Sequence, residues 1–509
     1  MAEESKFRAA VKWAYLMNWG EQGFTAIFSF VLAYLLGPRD FGIIAMAMVY
    51  ILFTHTFLEQ GLVAALIQRK DLRKEHVDSV FWMDMAMSAV LMTLSIALSP
   101  WWAAANHTPQ LSPIISVLSF GIPLEGLAIV QRAMLSRNMD FRSLSIRSNV
   151  SVVAGGALGM VMAVRGCGVW SLVGQRLGQD AVAVALLWKL SDWRPKFEFS
   201  LHALRDLWSF SVANLVSKIG VFMNQQAEAL LIGLFFGPVA VGLYRMADKL
   251  KSLVTTAATS SLQSVSLPEF SRHQDRPAAL KQSMLNCVRL SSVVSLPALA
   301  GLGAVSTLLM AMLGPKWMIA ADALKVLSVA GMLMAFLAFA GSLLQAINRP
   351  HMAAMMVWSN AIVSVLSLLA SGLLLRHAGV HTQVVGVAVA RLASFFVFFV
   401  PFFFYVITRF CGISLRELFR TVLPSLVTAV VAAAVPYAIL ASGVLSGLRP
   451  VMALAIVVII GGSAATCTLF KLDAQLREIA LTYLRRALKL IGRKKRTTGA
   501  AAATAGTRS

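Results

Sequence analysis

Charge is scarce in this chain of 509 residues: 13% are Asp, Glu, Lys or Arg, while 58% are hydrophobic. A soluble domain carries about 25% charged and about 45–50% apolar residues. The shortage, with a mean hydropathy of +0.74, excludes a water-soluble globular fold. Cysteine is sparse too. Cys167, Cys287, Cys411 and Cys467 stand far apart with no CxxC pair, which offers neither a metal-binding spacing nor a disulfide framework, so they read as small packing residues. No GxxxxGK[ST] loop occurs, and nucleotide hydrolysis within the chain is not expected. Acidic residues number 23 against 45 basic ones, a net charge of +22. The cations are dispersed among apolar runs, and the one dense cluster, Arg493 to Arg496, lies near the C-terminus, so no nucleic-acid partner is expected.

Long apolar runs fill the chain instead, such as AIFSFVLAYLLG at 26–37 and MALAIVVIIGGSAATC at 452–467. They lack the ten-residue alternation of a membrane β-barrel, so the expected class is all-α and polytopic. With about 20 residues per crossing, about fourteen spans are expected. They lie near 13–36, 41–68, 77–99, 111–134, 146–165, 168–190, 205–236, 239–265, 283–312, 321–347, 351–375, 381–408, 421–441 and 449–470.

Alternate loops differ in basic residues. One set holds Arg69, Lys70, Arg73 and Lys74, then Arg137, Arg142 and Arg147, then Lys189, Arg194 and Lys196, then Arg272, Arg276 and Lys281, then Arg409, Arg416 and Arg420. The other set has only single residues, Arg39, Arg165, Lys316, Arg376 and Arg449. Cytoplasmic loops are the Lys/Arg-rich ones, which puts both termini in the cytoplasm. The N-terminal segment MAEESKFRAAVKW leads into a span too long for a cleaved signal and reads as a cytoplasmic start. From Lys471 onward the tail places Leu472, Leu476, Ile479, Tyr483 and Ala487 on one helical face, with Arg477, Arg485, Arg486 and Lys489 largely off it. An interfacial helix on anionic lipid is the expectation, with a plain solvated helix as the alternative.

One punctuation recurs. GPRDFG at 37–42 and GPVAVG at 237–242 each follow an apolar run, and 31–50 aligned on 231–250 agree at Gly37/Gly237, Pro38/Pro238, Gly42/Gly242, Met46/Met246 and Ala47/Ala247. Gly closes a helix in a left-handed conformation and Pro suits the first turn of the next, so each copy reads as a tight outer hairpin. Gly42 and Gly242 then allow close helix approach in the opening turn. Six spans separate the copies, so the repeat is parallel. Two pseudo-symmetric lobes with a site between them are expected, 1–200 and 201–410, followed by two additional spans in 411–470 and the tail 471–509.

GPRDFGIIAMAMV, LEQGLVAALIQRKDL, AEALLIGLFFGPVAVGLYRMADKL and SLPEFSRHQD resemble segments of the Wzx-type polysaccharide transporters, in particular the branch serving colanic acid and other exopolysaccharides. The resemblance covers about residues 10 to 410, with Glu228 where an Asp precedes LLIG in that family; the charge is retained. It implies two lobes of helices around a central cavity in the bacterial inner membrane. It also implies a flippase moving undecaprenyl-pyrophosphate-linked oligosaccharide to the periplasmic leaflet, with membrane lipids, a polysaccharide polymerase and chain-length machinery as partners.

Ionisable residues within spans cost about 2.5–3.5 kcal/mol each on insertion scales and usually face a cavity or a partner. The first six spans hold Glu21, Glu59, Asp84, Glu125 and Asp180 against Arg176; later ones hold Lys218, Arg245, Lys249, Lys251, Lys325 and Arg391 against Glu228, Asp248 and Asp322. A pyrophosphate needs cationic donors to replace its water, and Lys218, Arg245, Lys249 and Arg391 are the candidates. Arg245 and Lys249, four apart, share a helix face. The alternative is neutralisation by structural pairing, which three acids cannot accomplish for every one of these cations. Glu21, Asp84 and Glu125 are candidates for coupling to a Na⁺ or H⁺ gradient, or else they pair with the inner loops or Arg132. No resident cofactor or metal is expected. His377 and His381 have helical metal spacing, but an intervening Gly and a position in an outer loop count against zinc. Asn224, Gln225 and Gln226 either hydrogen-bond sugar or link helices. Trp101, Trp102 and Trp193 read as interfacial anchors.

Two competing functions remain. A multidrug cation antiporter of the same fold would be repelled by a cationic second lobe. A membrane-embedded polymerase or ligase would need a substantial outer loop carrying catalytic residues, and the outer loops here are short.

Overall fold

The computed structural model describes residues 2–58, 66, 73–445 and 447–473; for 2–11, 201–218, 221 and 224 it describes the backbone alone. Glu59, the side chains of Lys218 and Asn224, and the basic tail beyond Asp473 therefore lie outside the described residues.

Every described element is helical. Helix α1 (Ala2–Leu35) turns at Gly37 into α2 (Pro38–Leu58), whose first turn is held by Asp40: its Oδ2 accepts from the Gly37 N–H at 3.4 Å. Helix α3 (Lys74–Ala105) precedes a broken span, α4 (Leu111–Leu118) and α5 (Gly121–Arg137). Next come α6 (Phe141–Val164), started by Asp140 accepting from the Ser143 N–H at 3.1 Å, and α7 (Trp170–Leu190). The long element α8 (Leu201–Arg272) contains two expected spans separated by Gly237, at φ 78 and ψ −176. That backbone conformation is open to glycine almost alone. Gly37 is not among the positive-φ glycines, so only one copy of the repeated hairpin uses a left-handed glycine.

The chain continues through α9 (Pro277–Ala304), α10 (Ser306–Leu313), α11 (Ala320–Leu337), α12 (Ala340–Ala346) and α13 (Pro350–Leu375). Helices α14 (Val380–Ser394) and α15 (Val400–Cys411) are joined by a π turn, Phe395–Phe399, and α16 (Leu415–Ala441) and α17 (Pro450–Leu472) close the described chain. Helix α16 opens on a reciprocal cap, Ser414 Oγ accepting from the Glu417 N–H and Glu417 Oε2 from the Ser414 N–H at 2.9 Å. Such S-x-x-E boxes satisfy two otherwise orphaned donors.

Among the described residues, 11 helical segments are long and apolar enough to cross a membrane; the protein is a multi-pass membrane protein. Helix α7 matches an expected span yet fails that apolar test. The physical reason is its polar stripe, Gln175, Arg176, Gln179 and Asp180, which faces protein cavities rather than lipid.

The helices form two compact units. The first comprises Met1–Ser252, Ser306–Ala330 and Arg349–Phe402. Here α6 lies between α1 and α7, and its glycines let it approach both. A Cβ on Gly155 would stand 2.6 Å from the Gln175 carbonyl oxygen and one on Gly159 2.8 Å from Gln175 Cβ, while one on Gly156 would overlap the Phe28 ring of α1. This is the small-xxx-small packing of membrane helices, where bare backbone gives the closest van der Waals contact. Leu32, Leu36, Ala163 and Leu172 complete the α1–α6–α7 core. Trp193, expected as an interfacial anchor, packs on Phe81 with centroids 5.5 Å apart. Cys167 and Cys467 are exposed rather than packed; Cys287 and Cys411 are buried.

The second unit comprises Leu253–Val305, Gly331–Asn348 and Phe403–Ser509. In it α16 packs along α9 and α17, fastened by Lys281 to Glu417 at 2.7 Å and by a bidentate Arg289–Asp473 contact.

Candidate functional site: two cavities that share Arg176

The first unit contains a cavity of 620 Å³ whose wall is polar and charged. Helix α1 contributes Glu21, α5 Glu125 and Arg132, α6 Arg147 and Ser148, and α7 Arg176 and Asp180. Gln225 and Gln226 of α8 face the same space. Most of these charges are already engaged. Arg132 pairs with Glu125 at 2.6 Å and Arg176 with Asp180 at 2.9 Å, and Glu21 accepts from the Ser148 hydroxyl.

A second cavity of 460 Å³ shares Arg176 and Gln179 with the first. Its wall is largely apolar, with Phe41, Ile44 and Met48 of α2, and its charged residues are Arg176, Arg245, Asp248 and Lys249. Arg245 Nη2 donates to Gln226 Oε1 at 2.6 Å, and Lys249 Nζ donates to the Ser29 hydroxyl. Gln226 thus connects the two cavities.

The three acids of the later spans each take one cation. Glu228 receives Arg391 at 2.8 Å, Asp248 receives Lys251, and Asp322 receives Lys325 at 2.8 Å. Arg245 and Lys249 are left with neutral partners among the described residues. The structure therefore brings Arg245 and Lys249 together on one cavity. It places Arg391 elsewhere, against Glu228, the Ser364 hydroxyl at 2.6 Å and the Phe395 ring at 4.9 Å. Glu228 also accepts from Tyr244 Oη at 3.1 Å.

The coupling candidates separate in the same way. Glu21 and Glu125 line the larger cavity. Asp84 lies in α3, only 3% exposed, and its Oδ2 has no hydrogen-bond partner among the described residues. His381 Nε2 donates to Asp322 Oδ2 at 3.0 Å and is occupied there.

Arg132 and Arg147 lie near the inner ends of the expected spans 111–134 and 146–165 but do not figure among the intramembrane charges expected from sequence. Arg147 counts with the basic inner loop in sequence, but α6 begins at Phe141 and carries it into the second turn, facing the cavity. The signal for this is the helical spacing of Arg147, Ser148 and Ser151 on one face. The first six spans are thus less one-sidedly acidic than their sequence suggests, since Arg132, Arg147 and Arg176 stand among Glu21, Glu125 and Asp180.

A many-span helical membrane protein with cavities lined by half-buried charges has the build of a transporter. The chain belongs to the family described as polysaccharide biosynthesis protein, whose model matches residues 31–322, more than half of the chain. It is 27% identical over 308 residues to the succinoglycan biosynthesis transport protein ExoT of Rhizobium meliloti, covering 60% of this chain and 62% of that protein. To the lipopolysaccharide biosynthesis protein WzxC of Escherichia coli it is 23% identical, covering 69% of this chain and 72% of the other. The chain thus spans less than two thirds of ExoT. In fold it is similar to the lipid II flippase MurJ in an inward closed conformation, with a TM-score of 0.71 at 11% identity, covering 92% of this chain and 99% of that one.

Proposed function

We propose that the protein is a flippase for lipid-linked oligosaccharides, carrying undecaprenyl-pyrophosphate-linked repeat units from the cytoplasmic to the periplasmic leaflet of the bacterial inner membrane. The observation that carries this reading is the pair Arg245 and Lys249, two half-buried cations on one cavity whose hydrogen bonds, among the described residues, go to neutral groups. A pyrophosphate leaving water needs charge-assisted donors, whereas a cation with only neutral partners in a low-dielectric wall is costly until an anion arrives. The apolar wall beside them suits the polyprenyl end, and the polar cavity across Gln226 suits hydroxyl-rich sugar. The family, the naming of ExoT as a transport protein and the MurJ-like fold all support a carrier rather than an enzyme. The same two cations count against export of cationic drugs.

In this proposal both termini are cytoplasmic. The lobes 1–200 and 201–410 alternate access around the cavity, and Glu21, Glu125 or Asp84 couples the cycle to an ion gradient. Polysaccharide polymerase and chain-length machinery act on the delivered unit. The test is deletion of the gene followed by extraction of polyprenyl-linked oligosaccharide. Accumulation inside the cell with loss of surface polysaccharide is expected; intact polysaccharide with altered drug efflux would defeat the reading.

A further inference from the structure

In the larger cavity one cation differs from its neighbours. Arg132 and Arg176 each grip a carboxylate, but Arg147 makes no hydrogen bond and no ion pair among the described residues, and its Nε is buried without a partner. Glu21, Glu125 and Asp180 are its acidic neighbours, yet Glu21 is bonded by Ser148 and the other two by Arg132 and Arg176. A guanidinium presents five donors in a planar fork matched to a carboxylate or phosphate. Leaving that fork empty in a protein wall is costly unless the occupant arrives with the cargo.

We infer that Arg147 receives an acidic substituent of the transported sugar, so that the cargo class is an oligosaccharide bearing a carboxylate. This rests on the proposed flippase reading and adds the substrate chemistry. The cavity argues for the sugar over its linker. Arg147 faces hydroxyl and amide groups, Ser148, Ser151, Gln179 and Gln225, which suit a sugar. Arg245 and Lys249 line the other cavity, whose wall is apolar. Net charge in the larger cavity is balanced by its three acids, so the recognition is directional, through the fork, and not a bulk attraction.

The experiment uses the full chain in lipid nanodiscs and three probes: a neutral glucose tetrasaccharide, its counterpart containing one glucuronate, and inorganic pyrophosphate. Calorimetric titration should show the glucuronate probe binding about tenfold or more tightly than the neutral one, as a bidentate charged pair implies. Arg147→Gln should erase that preference, and Arg147→Lys, which keeps charge but not the fork, should retain only part of it. Equal binding of both tetrasaccharides by the unaltered protein would overturn the inference. So would a preference surviving in Arg147→Gln, or a fall in pyrophosphate affinity alone in that variant. If Arg147→Gln does not yield folded protein, the comparison rests on Arg147→Lys, where an undiminished preference overturns it. The flippase reading fails separately, if pyrophosphate binding is indifferent to Arg245→Gln with Lys249→Gln.

Discussion

Gly42 and Gly242 face each other's hairpins reciprocally. A Cβ on Gly42 would fall on the Pro238 carbonyl, and one on Gly242 would fall on the Pro38 carbonyl, with the Gly42 nitrogen 3.0 Å away. Each copy of the repeated Gly-Pro-x-x-x-Gly thus lends its proline carbonyl to the last glycine of the other. The repeat packs upon itself, and the absent side chains are what allow α2 and α8 to cross at backbone distance.

Gly42→Ala and Gly242→Ala should therefore each destabilise the protein, by about 1–3 kcal/mol or more, because backbone cannot yield as a flexible side chain can. Gly23→Ala, where nothing lies within 4 Å of the added carbon, serves as the control. Thermal unfolding in detergent is the measurement. The double variant should cost less than the sum of the singles, since both substitutions push apart the same pair of segments.

Arg391 should behave as a structural partner of Glu228. Both side chains are 11% exposed, and removing one partner of a buried pair typically costs about 3–5 kcal/mol. Arg391→Met is expected to lower the yield of folded protein sharply. Arg391→Met with Glu228→Gln should recover much of it, as judged by size-exclusion profile and unfolding temperature. A well-folded single variant that fails only in export would instead place Arg391 on the cargo.

Arg245→Ala with Lys249→Ala should act the other way. Among the described residues neither cation is paired with an acid, so membrane levels should stay near normal while surface polysaccharide falls about tenfold or more, the effect of losing charge-assisted donors. Quantitative blotting beside polysaccharide assay separates the two; normal export would remove both residues from the site.

Asp84 tests coupling. Its carboxyl is buried, with one oxygen unpartnered among the described residues, a costly state for a charge. Asp84→Asn should leave the fold intact and abolish the response of transport in proteoliposomes to an imposed Na⁺ or H⁺ gradient. An unchanged response would exclude it, leaving Glu21 and Glu125 on the cavity wall.

Helix class and span positions follow from composition, because a chain this apolar can satisfy its backbone in lipid only by coiling into helices or closing a barrel. The alternating runs then mark where each helix ends. Sequence also exposed the hairpin repeat and showed that the later spans contain more cations than acids. Local pattern stops there. Whether Gly42 meets Gly242, which cation of six is neutralised by which acid, and which groups surround Arg147 on its cavity all depend on residues scores of positions apart. Arg391 and Lys249 look alike in sequence, each a cation in an apolar run; one meets Glu228 and the other Ser29. That difference is set by helix packing, since a buried charge takes its character from the groups within a few ångströms of it, and only the tertiary structure supplies them.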